Sequence, residues 1–568
     1  MPLTVVVLAA VFWIWLTLPF GEGAHVHTTS QMPTNIVWLT TGLDADEQVL
    51  WHHLSEGSEV VPLSILEALI SPKTGRPFLS SLADYGFMLE SDDPHHLPIG
   101  WTVKVKDLAG RKVPFVGINC SGCHTGELQY KGKSVRIDGA PNLYQLEDFF
   151  VDLDRVAMSA MSNRLDSLLL LRRAIKLSHV GKNEGEFLKL PPAAIARLDE
   201  VEVPPPAAAE MPTYGPQVRA RLRGSKTNGM ATMTDTGMDM PSELLASFTR
   251  DGSYLNRRLH GLHTVAAAIN CGVDLGPGRG DSFGIIRRLL WAFDRIELDA
   301  PVSTPHLFNF GQFEWLHWDG NTTSVMQRNV AQAIALGADF DTATFKSSVL
   351  PWNLHRLEHI ARNLKPPVWP TEIFGAIDFA RVERGQVLYE KNCLQCHDKE
   401  RLIELDRVGT SPMRALNFAR PLAFKAFPDA LGAMAAFAET ALFNQHGLTP
   451  IERLRLEPDT NPVWRSTMMY QARPLVGIWA TAPFLHNGSV PTLYDLLQPA
   501  AKRPGSFPIG HRDFDPRKLG FTTDVTNPIW TFDATIEANS NIGHEGTEFG
   551  TDLPEESKWD LIEYVKTL

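Results

Sequence analysis

A chain of 568 residues is long enough for two to four domains of ordinary size. Its 44% apolar and 21% charged residues belong to a globular protein, not to a disordered or fibrous one. A net charge of −12 argues against a nucleic-acid partner and leaves a neutral substrate or a small redox protein open.

Met1 to Phe20 contain no Lys, Arg, Asp or Glu, and Val5-Val6-Val7-Leu8-Ala9-Ala10 is followed by the small residues Gly21, Gly23 and Ala24. Residues 1–24 therefore read as a signal peptide, which places the mature chain in the periplasm or outside the cell. The basic n-region is missing, and an uncleaved N-terminal membrane anchor is the rival reading. Helical spacing follows through Val49-Leu50-Trp51-His52-His53-Leu54 and through Leu63 to Leu69. His52-His53 and His95-His96 lack further ligands at metal spacing and read as surface or packing residues.

Cys120-Ser121-Gly122-Cys123-His124 is a Cys-x-x-Cys-His run, the attachment sequence of a c-type haem. Cysteines three apart on a helical turn face the same way, so both thiols can add to the vinyl groups of one porphyrin. The adjacent histidine then reaches the iron. Leu128-Gln129-Tyr130 and Val135-Arg136-Ile137 flank Lys131-Gly132-Lys133 as a short hairpin. Arg136 suits a haem propionate or an ordinary salt bridge.

A helical pattern runs from Leu143 to Leu177. Residues 190–241, rich in proline and glycine, predict a long loop or lid. Helical periodicity returns with Ser242 as N-cap and continues to Ile269. Cys271 reads as a buried small residue, and Arg279-Gly280-Asp281 as incidental.

Lys365-Pro366-Pro367-Val368-Trp369-Pro370 marks the clearest boundary, separating 25–365 from 366–568. Beyond it Val382, Gly385, Leu388 and Tyr389 share one helix face leading into Cys393-Leu394-Gln395-Cys396-His397, a second haem motif. Four of the five cysteines are thus used by two covalent haems c, with His124 and His397 as iron ligands. Asp552-Leu553-Pro554-Glu555 predicts a capping-box start to a closing amphipathic helix. The expected fold is mainly α: two cytochrome c-like haem domains with long loops and few short strands.

The flanking segments resemble the dihaem cytochrome c peroxidase superfamily and, within it, the secreted rubber oxygenases, which cleave polyisoprene with dioxygen. Carrying this are Gly117-Ile118-Asn119 before Cys120, Arg136-Ile137-Asp138-Gly139, Trp318-Asp319-Gly320-Asn321, Val408-Gly409-Thr410, the run from Ala472 to Ser489, and Gly543-His544-Glu545. The resemblance implies that His544 completes the second haem, while His486 packs near it without ligating iron. It also implies that Trp318 lies between the haems and assists electron transfer. The first haem, of His124, becomes the chemical site, with His260, His263 and His317 as side chains able to close its sixth position.

Dihaem peroxidases, by the same resemblance, carry a glutamate about 20 residues past that tryptophan for peroxide heterolysis. Here Ala338 stands at that place and Asp339 is the nearest carboxylate, while Ala333-Ile334 stand where the rubber oxygenases have a phenylalanine. The expectation is an apolar wall supplied partly by Ala333, Ile334 and Leu336. Three readings follow: an oxygenase cleaving C=C bonds of an apolar small molecule or polymer, a peroxidase reducing hydrogen peroxide, or a dihaem electron carrier.

Overall fold

The computed structural model describes residues 33–90, 96–108, 111–162, isolated positions between 167 and 187, 254–291, 296–423 and 425–568. The expected signal segment, the 190–241 loop, the Ser242 cap and His95 lie outside the described residues. No helix among the described residues is long and apolar enough to cross a membrane.

Strand β1 (Ile36–Trp38) leads to α1 (Ala45–His53). Asp44 caps that helix: its Oδ1 accepts from the amides of Asp46 and Glu47, and Glu47 reaches back to the Asp44 amide at 3.1 Å. β2 (Val61–Pro62), β3 (Trp101–Leu108) and β4 (Arg111–Ile118) form an antiparallel sheet in the order β2-β4-β3. The chain leaves β4 straight into the first haem motif. Asn119 accepts from the Ser121 amide at 3.0 Å and starts the single turn α2 (Cys120–His124).

β5 (Thr125–Tyr130) and β6 (Lys133–Asp138) then pair as the expected hairpin. Its two turn residues, Lys131 and Gly132, both have positive φ (47° and 77°), the backbone that a two-residue turn needs. β1 adds to β6 in parallel.

α3 (Leu146–Ser162) packs on α4 (Tyr254–Ile269). β7 (Arg279–Gly280) pairs with β8 (Val302–Ser303), and α5 (Ser282–Leu290) lies between them in sequence. α6 (Val325–Ala335), capped by Ser324, is followed by α7 (Pro351–Asn363). α8 (Phe379–Asn392) runs into the second haem turn α9 (Leu394–His397), and β9 (Arg401–Glu404) pairs with β10 (Met469–Ala472). α10 (Phe427–Gln445) packs on α6.

The closing helix α11 (Glu555–Val565) crosses α8 at Gly385, where an added Cβ would sit 2.0 Å from the Asp560 carbonyl oxygen. Asp560 also joins the two helices through Arg381 at 3.0 Å and Arg384 at 2.7 Å. The expected capping box of α11 does not form. Its cap residue is Pro554, which has no side-chain acceptor to offer.

Helix accounts for 42% of the structure and strand for 16%, so the fold is mixed rather than mainly helical. The sheets are small, six among the described residues, and two of them start directly behind or before a haem motif. The two sides of Lys365 share their cores. Leu128, Val135 and Ile137 of the β5–β6 hairpin pack with Trp369, Trp479 and Leu561. Val330 and Ala333 of α6 pack with Ala438 and Leu442 of α10.

Candidate functional site

Each Cys-x-x-Cys-His turn opens onto its own cavity of about 240 Å³. Cys120, Cys123 and His124 line one; Cys393, Cys396 and His397 line the other. The two histidines are held alike. His124 Nδ1 donates to the Pro305 carbonyl at 3.0 Å, and His397 Nδ1 to the Arg473 carbonyl at 2.7 Å. A carbonyl can only accept, so each ring carries its proton on Nδ1 and keeps the Nε2 lone pair for a metal. Burial pushes the His124 imidazole down to about 3 and lowers that of His397, so both are neutral, as ligation requires.

Four further histidines line the second cavity: His306, His317, His486 and His544. His544 sits in left-handed backbone (φ 46°) because its amide is tied to the Val408 carbonyl at 2.6 Å and Gly543 lies against Gly409. Its imidazole is lowered to about 3 by burial, with the His397 ring as the next cause, so the two rings sense one another. Its Nδ1 is buried without a partner. His486, lowered to about 3 by burial, stacks on Tyr470 with ring centres 4.3 Å apart. Its carbonyl accepts from the Ser303 amide at 2.8 Å.

The Trp318-Asp319-Gly320-Asn321 segment contributes Trp318 to the wall common to the two cavities, beside Ser303, Thr304, Pro305 and Arg473. Trp318 and His317 line both. The Trp318 indole donates to the Ser303 carbonyl at 3.0 Å, and its own carbonyl accepts from the Gln471 amide at 2.7 Å. Asn321 donates to Asp319 at 3.0 Å, which turns its amide oxygen toward His317 Nδ1 at 2.7 Å. Burial, with Arg328 and Arg414, holds the His317 imidazole well below its usual range. His260 and His263 are exposed, and His263 bonds Asp154 at 3.0 Å, so neither reaches the first cavity.

Four sequence-level candidates lie elsewhere. Arg136 lines neither cavity; it is 1% exposed and bonds Glu127 at 2.7 Å across the hairpin. Ala333 and Ile334 face the α6–α10 core, because the helix turns 100° per residue and presents Arg328, Gln332, Ala335 and Leu336 to the cavity instead. Asp339 lies past the helix end, 3.5 Å from Arg258 and 3.7 Å from Lys106, outside the cavity lining. Of the three residues expected to form the apolar wall, Leu336 alone lines it.

The sequence reading missed the arginines. Arg279, Arg328, Arg414 and Arg473 all line the His124 cavity, and Arg473 lines the second as well. Arg279 belongs to the tripeptide read as incidental; its guanidinium donates to Asn539 at 2.8 Å. Glu147 was also missed: burial raises its carboxyl to about 7 on the wall of the same cavity. Buried guanidinium groups, paired thiols and a neutral histidine fit a haem c, whose propionates need cationic partners. The signal available in the sequence was weak, since these arginines are spread over almost 200 residues.

Residues 469–508 match the RoxA-like, cytochrome c-like family model. The chain is 27% identical to the uncharacterised protein y4iJ of Sinorhizobium fredii (strain NBRC 101917 / NGR234), over 94% of this chain and 93% of that protein. It is 29% identical to the uncharacterised protein y4iM of the same strain, over 46% of this chain and 63% of that protein. The family match falls on β10 and on the segment carrying His486, at the second cavity. It supports a haem c-dependent oxidoreductase of the RoxA type.

Proposed function

We propose that this protein is an exported dihaem c-type oxygenase that cleaves C=C bonds of an apolar, isoprenoid-like substrate with dioxygen. The reaction belongs to the His124 cavity, and the His397 cavity serves electron relay. Bound haem c supplies a redox-active iron at each motif. Cys120, Cys123 and His124 would hold the first, and Cys393, Cys396, His397 and His544 the second. Trp318 and Arg473, on the common wall, hold the two groups in one electrostatic environment.

The observation that carries this reading is the composition of the first cavity's wall. Phe283, Ile286, Leu336 and Leu431 line it, and α6 presents no carboxylate to it. These apolar side chains give a hydrocarbon a face to lie on, beside the ionisable groups of Arg279, Arg328, Arg414, Arg473 and Glu147 on the same cavity. Oxygen uptake with polyisoprene and shorter isoprenoids, read by product mass, tests it. Uptake with oxygen-containing fragments is expected. A haemochrome assay should count two covalent haems, falling to one in Cys120→Ala/Cys123→Ala and in Cys393→Ala/Cys396→Ala.

The second reading is a peroxidase drawing electrons from a small redox protein. It is favoured by neutral His317, Arg328, Gln332 and the Glu147 carboxyl on the same cavity, groups able to move a proton or to steady developing charge. Brisk peroxide reduction with a reduced cytochrome, without isoprenoid-dependent oxygen uptake, would replace the first reading by this one.

A further inference from the structure

Away from both cavities, His52, His53 and Glu90 bring three ligand atoms within 4.8 Å of one another. In the sequence these paired histidines stand without a further ligand at metal spacing, which predicts surface or packing roles. The structure supplies one from 37 residues downstream. Glu90 Oε1 lies 2.5 Å from His52 Nδ1, and Glu90 Oε2 lies 2.6 Å from His53 Nε2. The His52 and His53 side chains are 3% and 1% exposed.

The outward nitrogen of each ring is already engaged. His52 Nε2 meets Asp138 Oδ1 at 2.9 Å, and His53 Nδ1 meets the Trp101 carbonyl at 3.3 Å. A carboxylate and a carbonyl both accept, so each ring keeps a proton on its outward side. A neutral ring then has a bare lone pair on its inward side. Metal-ligating histidines have this pattern, with the second nitrogen donating to a carboxylate or a backbone carbonyl. The two rings stand edge to face with centres 6.0 Å apart, their inward nitrogens converging on Glu90.

His96 adds a fourth donor. Its Nε2 is buried, has no hydrogen-bond partner and lies 4.0 Å from Glu90 Oε2. We infer that His52 Nδ1, His53 Nε2, His96 Nε2 and the Glu90 carboxylate form a binding site for a divalent transition-metal ion of the zinc type. Three imidazoles and one carboxylate are a borderline, tetrahedral donor set. Ligand atoms around zinc stand about 3.4 Å apart, given bonds of about 2.0–2.1 Å. Glu90, the most exposed member at 21%, is the side chain that swings back to admit the ion.

The ion would join α1 to the segment entering β3. Asp138, which orients His52, also accepts from Thr125 Oγ1 at 3.0 Å, and Thr125 directly follows His124. The site is thus a structural clamp beside the first haem motif, independent of the reaction assigned to that haem.

The full-length protein with its haems is dialysed against EDTA and then titrated with zinc chloride. One tightly bound equivalent is expected, and zinc-edge X-ray absorption should show four nitrogen or oxygen neighbours with the scattering of three imidazoles. Glu90→Gln and His96→Ala should each weaken zinc at least tenfold while haem content is unchanged. Two results would overturn the site: affinity equal in wild type and both variants, or a wild-type spectrum with fewer than three imidazoles. The spectrum needs no variant, so a variant that fails to fold leaves the test intact.

Discussion

His397 and Arg473 are joined by a 2.7 Å hydrogen bond from the ring Nδ1 to the main-chain carbonyl, while the Arg473 side chain reaches the walls of both cavities. One residue thus orients the His397 ring and places a buried cation beside both cavities. Its guanidinium is lowered to about 10 by burial, with Glu400 acting in the opposite direction, and so remains charged at neutral pH.

On the proposed dihaem reading, the shared environment of His397 and His544 predicts that both would hold the second haem. His544→Ala should convert its low-spin electron-resonance signal to high spin while two haems remain attached. His486→Ala should shift that signal slightly, because its ring is occupied in stacking on Tyr470. A high-spin haem produced by the His486 change alone would reverse the assignment.

Gly385 is expected to be intolerant of any side chain. A Cβ there meets the Asp560 backbone at 2.0 Å, and backbone cannot rotate away. Gly385→Ala should cost about 1–3 kcal/mol through overpacking of α8 against α11. Chemical denaturation of the holoprotein measures it, and an unchanged midpoint would show that the crossing is looser than the structure has it.

Burial raises the Glu457 carboxyl to about 8; the hydrogen bond with Ser324 opposes the rise and Glu439 adds to it. The folded protein keeps this proton up to about 8, whereas the unfolded chain releases it near 4.5. More protons are therefore bound in the folded state between these values, and stability falls as pH rises through that window. Glu457→Gln, which imitates the protonated form, should match wild type near pH 4.5 and melt higher at pH 8.5. Parallel melting curves across that range would contradict the assignment.

The orientation of α6 decides where an engineered acid would act. Ala338 is 5% exposed in the α6–α10 core, so Ala338→Glu should destabilise the protein without changing its chemistry. Ala335 lines the His124 cavity, and Ala335→Glu should weaken oxygen-dependent turnover and raise peroxidase activity. Positioned acid–base groups contribute roughly 10²–10⁴-fold, which sets the largest gain to look for in a peroxide assay.

The haem motifs, the β5–β6 hairpin and the helix running into Cys393 were legible in the sequence because each depends on residues close together in the chain. Cysteines three apart share a helix face, and Lys131-Gly132 supplies the turn between alternating strands, whatever lies around them. Tertiary structure alone decided the rest. Which face of α6 meets the cavity depends on α10, about a hundred residues later, and that packing turned Ala333 and Ile334 inward. Arg279, Arg328, Arg414 and Arg473 become one cationic lining only when four distant segments converge. Glu90 likewise finds His52 and His53 through the fold, since a half-buried carboxylate and two buried imidazoles satisfy each other across any length of chain between them.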